Sequence, residues 1–459
     1  VLRLLLSLFK IKPQFSSIAS GIPPESVNMT GRLEANASIV VIAKASVAID
    51  GIGNTLNLNS KTHISNIQAT VINTQGGDLV FASNIDDAMD LESTTNGYIS
   101  FRNGLTVSTQ GGDITLGGGN TQGTEHAMGI ATANSLYNEG VRIDVTLNLN
   151  SSGGNIVIKG KSANTSISSS GTGASGVGVY SLSAPAFIES GIGTIFIEGI
   201  CQNIEKTDYT AGVIFALNNN HTTTIKSSNT TSSAIQLNGI SIQDKYNIYG
   251  IDVAANSPLT LLADADGGGV LLKTAIGYDW YDYTTYPRYE AMFRSELNVL
   301  AKSGPISILG GQFEGENKGR IKFEVSPYIG SKSGSEITTS SSDIDLQYDE
   351  FKWGSNDPLF ATTGVVSIKP TTDWSHYLGY VSTSWFGFNQ NNHIMSGLVI
   401  GSAANLSDIY INSTLLGNGS ISIYGSAIDV TSDITTTNGD ILLDADNGTA
   451  ISMNDDGVY

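Results

Sequence analysis

A short phrase recurs along the chain, in which a glycine turn is followed by a small polar residue and then by alternating aliphatic residues. It reads Gly-Gly-Asp-Leu-Val-Phe at 76–81, Gly-Gly-Asp-Ile-Thr-Leu at 111–116 and Gly-Gly-Asn-Ile-Val-Ile at 153–158. Alternation with period two places every second side chain on one face, so each copy predicts a turn followed by a short strand. Variants of the phrase occur at 193–197, 304–308, 419–423 and 439–443.

The spacing of these turns predicts a repeat protein. Gly77, Gly112, Gly154 and Gly193 follow one another at intervals near 40 residues, whereas Gly419 and Gly439 are 20 residues apart. We interpret this as a unit near 20 residues that is often counted in pairs. Such a unit, made of short strands and turns with no helical stretch, matches one coil of a solenoid. The predicted fold class is all-β: a right-handed parallel β-helix with lateral loop insertions.

The composition agrees with this fold and excludes some functions. Charged residues make up 14% of the chain and hydrophobic residues 40%, and 52 residues are glycine. The net charge of −19 repels phosphate backbones, so we expect no nucleic-acid partner. A single cysteine, Cys201, excludes an internal disulfide framework. No apolar run reaches the roughly 20 residues of a spanning helix, so we also expect no membrane-spanning segment.

The rhythm of the phrase predicts the organisation of the chain. Residues 1–20 are expected to form an N-terminal cap or docking segment, and 21–277 a β-helix. An aromatic insertion at 278–296 interrupts the repeat. The β-helix then continues through 297–459, with a second insertion near 374–393.

The two insertions carry the candidate partner-binding residues. Their Trp and Tyr rings could stack on sugar rings, since an aromatic face complements the apolar face of a pyranose. The alternative, which base rates favour, is that they shield a flank of the rod or form a subunit contact. The first insertion, from 278 continuing through 290–293, is the one place that favours a short helix. The candidate residues are Tyr278, Trp280, Tyr281, Tyr283, Trp374, Tyr377, Tyr380 and Trp385.

Two acidic pairs are candidate calcium ligands. Alternation would place Asp264 and Asp266 on one outer face, and it would do the same for Asp444 and Asp446. Carboxylate oxygens suit Ca²⁺, but calcium takes six to eight oxygens and the nonapeptide calcium repeat does not recur. A solvated acidic face is therefore the favoured alternative, and no other cofactor is expected.

No catalytic constellation stands out. The five histidines fall in no zinc spacing, and the sequence contains neither a Gly-x-Ser-x-Gly elbow nor a phosphate-binding loop. We therefore do not predict an enzyme.

Residues 397–446 carry a resemblance to a known family. The sequence runs through Gly-Leu-Val-Ile-Gly at 397–401, Asp-Ile-Tyr-Ile at 408–411 and Gly-Ser-Ile-Ser-Ile-Tyr-Gly at 419–425. It then reaches Asn-Gly-Asp-Ile-Leu-Leu at 438–443. This order resembles the giant β-strand-repeat surface proteins of Bacteroidota, which are similar to the filamentous-haemagglutinin class of adhesins. The resemblance implies secretion, surface attachment and a parallel β-helix, and it brings no catalytic residues.

The leading functional hypothesis is an extracellular, cell-surface rod with a structural or adhesive role that self-associates head-to-tail, with a glycan or another cell-surface ligand as a candidate partner. Unpaired strand edges at the ends of an open β-helix favour such stacking. One alternative is a β-helix polysaccharide lyase or glycoside hydrolase, in which Asp264, Asp266, Asp279 and Asp282 could line a cleft. Another is a non-catalytic carbohydrate-binding module on the rod.

Overall fold

The computed structural model describes most of the chain between Val27 and Met453, and its regular elements are all β-strands. The described residues are 27–28, 33–42, 46–50, 53–85, 97–129, 138–163, 175–180, 183–202, 210–216, 220–242, 248–276, 290–311, 319–353, 359–371, 380–383, 395–403, 405, 407–445 and 450–453.

Forty strands follow one another in these residues. They are β1 (Val27–Asn28), β2 (Leu33–Ile42), β3 (Ser46–Asp50), β4 (Leu56–Asn66), β5 (Thr70–Asn73), β6 (Leu79–Ser83), β7 (Ile99–Phe101), β8 (Leu105–Ser108), β9 (Ile114–Gly118), β10 (Ala127–Met128), β11 (Val141–Asp144), β12 (Leu147–Asn150), β13 (Ile156–Lys161), β14 (Val177–Tyr180), β15 (Ala186–Glu189), β16 (Ile195–Cys201), β17 (Thr210–Ala216), β18 (Thr223–Ser227), β19 (Ile235–Ser241), β20 (Ile248–Val253), β21 (Leu259–Ala263), β22 (Val270–Ile276), β23 (Ala291–Phe293), β24 (Leu297–Ala301), β25 (Ile306–Leu309), β26 (Arg320–Phe323), β27 (Tyr328–Gly330), β28 (Ile344–Gln347), β29 (Glu350–Trp353), β30 (Leu359–Ala361), β31 (Val365–Lys369), β32 (Tyr380–Ser382), β33 (Gly397–Ile400), β34 (Asp408–Ile411), β35 (Leu415–Gly417), β36 (Ser420–Tyr424), β37 (Ala427–Val430), β38 (Ile434–Thr436), β39 (Ile441–Asp444) and β40 (Ala450–Met453).

The strands wind into coils with three faces, and strands on successive coils pair in parallel. Face A holds the strand that follows each glycine turn, for example β13, β16 and β19. Face B follows it in each coil, as in β11, β14 and β17, and joins face A in one 23-stranded sheet. Face C is an 11-stranded sheet that contains β12, β15 and β18. The predicted parallel β-helix with lateral insertions is confirmed.

The size of the coil differs from the sequence interpretation. Asn155 bonds directly to Asp113 across 42 residues and to Thr194 across 39 residues. Intervals near 40 are therefore single coils, and the idea that they are pairs of a 20-residue unit is wrong for the middle of the rod. Short coils close to that unit occur near both ends of the described rod, as where Leu33 pairs with Leu56 and where Asp440 bonds to Ser420 across 20 residues.

The extra residues of the long coils enter at one corner. In seven successive coils, the connection from face A to face B leaves after β6, β10, β13, β16, β19, β22 or β25 and returns at the next face B strand. In β4 this corner carries no insertion, because the strand runs straight on and pairs with both β6 and β7. The described strand ends that flank these connections therefore follow a line along one edge of the rod.

The corner between faces C and A explains the glycines of the recurring phrase. A Cβ added to Gly112 would lie 2.2 Å from the carbonyl oxygen of Gly77, and one added to Gly154 would lie 2.1 Å from that of Gly112. Backbones of successive coils thus touch where the second glycine stands. The residue three positions before the second glycine carries a buried hydroxyl group, as in Thr109 and Ser151. This hydroxyl donates a hydrogen bond to the carbonyl of the second glycine.

The polar residue of the phrase ties each coil to the next. The amide of Asp113 donates to the Asp78 carboxylate at 2.9 Å, and the amide of Asn155 donates to the Asp113 carboxylate at 2.6 Å. The amide of Thr194 donates in turn to the side chain of Asn155 at 2.9 Å. A short acceptor side chain is needed here because the adjoining turn leaves the amide of the next coil without a ladder partner.

The core is a column of aliphatic side chains along the axis. On face A, Ile114, Ile156, Ile195 and Ile235 lie directly above one another, and none of them is exposed. Each buried side chain of this size contributes roughly 1.5–3 kcal/mol of transfer free energy. On face B the column includes aromatic rings, and Phe293 stacks on Phe323 with centroids 5.1 Å apart.

One local expectation is wrong. The short helix expected from 278 through 293 would end in Ala291–Phe293, which instead form strand β23. Ala291 pairs with both Ile251 and Ile321, and Phe293 is fully buried. The stacked coils on both sides supply ladder partners, so tertiary pairing decides the conformation of these residues.

Candidate functional site

Most aromatic candidates lie outside the described residues. Tyr380 is the first residue of β32 and pairs with Asp408 of β34. The role of the set in binding stays a prediction. The candidates outside the described residues are Tyr278, Trp280, Tyr281, Tyr283, Trp374, Tyr377 and Trp385.

The acidic candidates do not converge. Strand β21 ends at Ala263, so Asp264 and Asp266 belong to the turn that follows it and not to an alternating strand. Asp264 lies 3.2 Å from the Lys226 ammonium, and Asp266 lies 3.1 Å from that of Lys302.

The second acidic pair is described only in part. Asp444 is the last residue of β39 and pairs with Tyr424, while Asp446 lies outside the described residues. Within the described part of the chain, no three His, Cys, Asp or Glu residues lie close enough to hold a metal ion. Calcium binding stays a prediction.

The structure brings together a charged cluster that the sequence reasoning missed. It lies on the outer side of face B and consists of Glu139, Arg142, Asp144 and Tyr180, all of them buried. The Arg142 guanidinium donates to Glu139 at 3.1 Å and to Asp144 at 2.9 Å, and it lies 4.4 Å above the Tyr180 ring. The Tyr180 hydroxyl donates to the second oxygen of Glu139. We call these four residues the Arg142 cluster.

Burial sets the electrostatics of this cluster. It raises the pKa of Glu139 to about 7, although the charge of Arg142 and the Tyr180 hydrogen bond act in the opposite direction. The pKa of Tyr180 is raised as well, first by burial and then by the charge of Glu139. Two buried carboxylates thus share one guanidinium, and removal of either the cation or a carboxylate would destabilise the fold.

A second buried pair lies further along the same face. Asp252 has no exposed surface, and its carboxylate accepts a hydrogen bond from the Arg294 guanidinium at 2.5 Å. Burial raises the pKa of Asp252 to about 7 against the opposing charge of Arg294. Around it, the outer side of face B is apolar and buried. These buried side chains are packed together outside the axial core, and they are Tyr180, Ala211, Ile214, Tyr249 and Met292.

Part of this arrangement has a sequence signal. Alternation in Val141–Asp144 marks Arg142 and Asp144 as outward-facing. An outward position normally means solvent, and the pattern carries no sign that this side of face B is buried too. Its charged residues are therefore held inside the protein and contribute to structure more directly than to contact with a ligand.

Face C offers an exposed surface of a different kind. Val71, Thr106, Asn148, Phe187 and Thr224 occupy one column on successive coils. None is charged, and the Val71 and Phe187 side chains are each 46% exposed. Strand stacking at about 4.8 Å makes this column a flat, regular strip. We call these five residues the face C strip.

The chain matches no protein-family model, no curated protein and no solved structure. Among the described residues, none forms a helix that is long and apolar enough to cross a membrane.

Proposed function

We propose that the chain is the rigid rod of an extracellular, cell-surface protein with a structural or adhesive role. The observation that carries the proposal is the unbroken parallel pairing of face A strands from β2 to β39. Eleven stacked rungs of face C alone extend roughly 50 Å at about 4.8 Å per step. Such a rod holds surfaces at a distance from a cell without needing a catalytic centre.

The face C strip is the binding surface that we assign to the rod. It is flat, uncharged and partly apolar, which suits a neutral glycan or a protein surface better than an anionic partner in a chain of net charge −19.

A binding screen with matched variants tests this assignment. The purified chain is applied to panels of acidic and neutral glycans and to intact cells, and we expect binding without turnover. Replacing both Val71 and Phe187 by Asp should weaken binding at least tenfold, since both anchors are lost. The control is Ile192→Asp, which adds charge at a 73% exposed residue outside the strip.

Three results would count against the proposal. Equal binding by the double variant and the wild type would remove the face C strip from consideration. New reducing ends in the glycan panel would replace the adhesive rod by a carbohydrate-active enzyme, and glycan binding without cell binding would favour a carbohydrate-binding module.

We also propose head-to-tail self-association through the rung that contains β39 and β40. Ile421 and Ile428 are buried, but their partners on this rung, Ile441 and Ile451, are each 44% exposed. The occupant that fits is a second copy of the chain, because short coils of similar size stand at the other end of the described rod, where Leu33 pairs with Leu56.

Sedimentation over a range of concentrations tests the stacking. We expect the wild-type chain to form larger species as concentration rises, and Ile441→Lys with Ile451→Lys to stay monomeric, because two buried charges would oppose the contact. The Ile192→Lys variant serves as the control. A wild-type chain that stays monomeric at the highest concentration would end this part of the proposal.

A further inference from the structure

The corner between faces A and B changes its chemistry along the rod. In two successive coils glycines meet there: a Cβ on Gly199 would lie 1.9 Å from the carbonyl oxygen of Gly212, and one on Gly239 would lie 2.2 Å from that of Gly250. In the next coil Thr274 takes the position of Gly239, and the amide of Gly250 donates to the carbonyl of Glu290. This coil therefore has a carboxyl group at a corner where, in the two coils before it, only glycine backbones meet.

The Glu290 carboxyl joins three coils. Its Oε2 accepts a hydrogen bond from the Gly311 amide at 2.7 Å and a longer one from the Thr274 hydroxyl at 3.4 Å. The Thr274 hydroxyl also bonds to the Tyr348 hydroxyl at 3.0 Å. Thr274 belongs to the same coil as Glu290, Gly311 follows β25 in the next coil, and Tyr348 follows β28 in the coil after that. The carboxyl is therefore the centre of a buried polar contact between β22, β25 and β28.

The groups that face this carboxyl do not neutralise it. Burial raises the pKa of Glu290 to about 8, the Gly311 amide opposes the rise, and the negative charge of Asp349 adds to it. Burial also raises the pKa of Tyr348, which keeps that hydroxyl protonated. Arg320 lies on the adjacent strand β26. Its backbone carbonyl accepts a hydrogen bond from the Glu290 amide at 2.8 Å. Asp252, one coil earlier, is paired with Arg294.

We propose that the Glu290 carboxyl is a protonation-dependent latch: the corner between faces A and B stays closed while the carboxyl carries a proton, and it opens more readily as the pH rises. Opening would let the carboxyl ionise in water. The latch is independent of the adhesive role, since it needs only the contacts of Glu290 with Gly311, Thr274 and Tyr348.

The direction of this pH dependence follows from the thermodynamic linkage between proton binding and opening of the corner. The closed form holds a proton up to a pH of about 8, whereas a carboxyl exposed to water loses it near its ordinary pKa of 4.5. The stabilisation is fully present below that lower value and is lost as the pH rises towards 8. Between the two values, the equilibrium constant for opening should rise roughly tenfold for each pH unit.

Hydrogen exchange at the Gly311 amide tests the latch in the intact chain. After correction for the intrinsic pH dependence of exchange, we expect protection of this amide in the wild type to fall at least about 100-fold between pH 5 and pH 8. In Glu290→Gln, a neutral side chain of the same shape still accepts from Gly311, so its protection should not change with pH.

A second variant keeps the test decisive if Glu290→Gln does not fold. Asp349→Asn removes the negative charge that faces Glu290 and leaves an oxygen to accept from the Gly319 amide. It should ease ionisation in the closed form, so protection at pH 8 should exceed that of the wild type. Protection that does not depend on pH in the wild type, or an equal fall in Glu290→Gln, would overturn the latch.

Discussion

Replacing Gly112 by Ala should destabilise the chain by about 3 kcal/mol or more, because the new methyl group has no space. Its Cβ would lie 2.2 Å from the carbonyl oxygen and 2.3 Å from the carbonyl carbon of Gly77. Both atoms are backbone and belong to a neighbouring coil, so the coils would have to separate. Urea unfolding followed by circular dichroism measures the loss as a lower midpoint.

The adjacent residue provides the control. Gly111 has open space around its Cβ position but a φ of +118°, which disfavours residues other than glycine. Gly111→Ala should therefore cost only about 1–2 kcal/mol of backbone strain. If Gly111→Ala destabilised the chain as much as Gly112→Ala, contact between coils would not be the reason for the second glycine.

The glycine turns show why the fold could be predicted from the sequence. Each turn contains the second glycine, a hydroxyl residue before it and a short acceptor after it. Each of these contacts a residue of similar chemistry on the next coil, as Asp78 contacts Asp113 and Asp113 contacts Asn155. Stacking requires each coil to repeat the chemistry of its neighbours, so the repeat can be recognised in the amino-acid sequence alone.

The length of each coil could not be predicted in the same way. Residues that enter at the corner between faces A and B leave the register of the strands unchanged, as Ile156 and Ile195 show by pairing directly. A spacing near 40 is therefore consistent with one long coil or with two short ones, and only the pairing distinguishes them.

The buried charges were missed for a related reason. Strand alternation separates the inner side of a face from its outer side, but burial of the outer side depends on segments that are distant in the sequence. Glu139 and Tyr180 belong to neighbouring coils, and their hydrogen bond spans 41 residues. The acidic pairs, which have a clear local pattern, instead meet lysines such as Lys226 and Lys302.

Replacing Arg142 by Met should destabilise the chain by about 3–5 kcal/mol at pH 8, because Glu139 would be left as a buried carboxylate without its cation, and Asp144 would keep only the partly exposed Arg102 at 3.5 Å. Met preserves much of the length of the side chain, so the loss of charge dominates. Thermal unfolding at pH 5 and pH 8 measures the effect.

The pH dependence identifies the cause of this loss. Arg142 acts to lower the pKa of Glu139, which is about 7 in the wild type, so removing the guanidinium should raise it further. A carboxyl with a raised pKa in the folded state stabilises the fold at low pH and loses that contribution as the pH rises. The difference between Arg142→Met and the wild type should therefore be smaller at pH 5, where Glu139 is protonated in both.

Two further variants complete the argument. Adding Glu139→Gln to Arg142→Met should recover part of the stability at pH 8 and reduce the pH dependence, because a neutral amide replaces the uncompensated charge. Lys302→Met removes an exposed pair, in which Lys302 and Asp266 are 53% and 76% exposed, and should change stability by less than about 1 kcal/mol. If Arg142→Met were no more harmful than Lys302→Met, the Arg142 cluster would contribute little to stability, and its burial would need a different explanation.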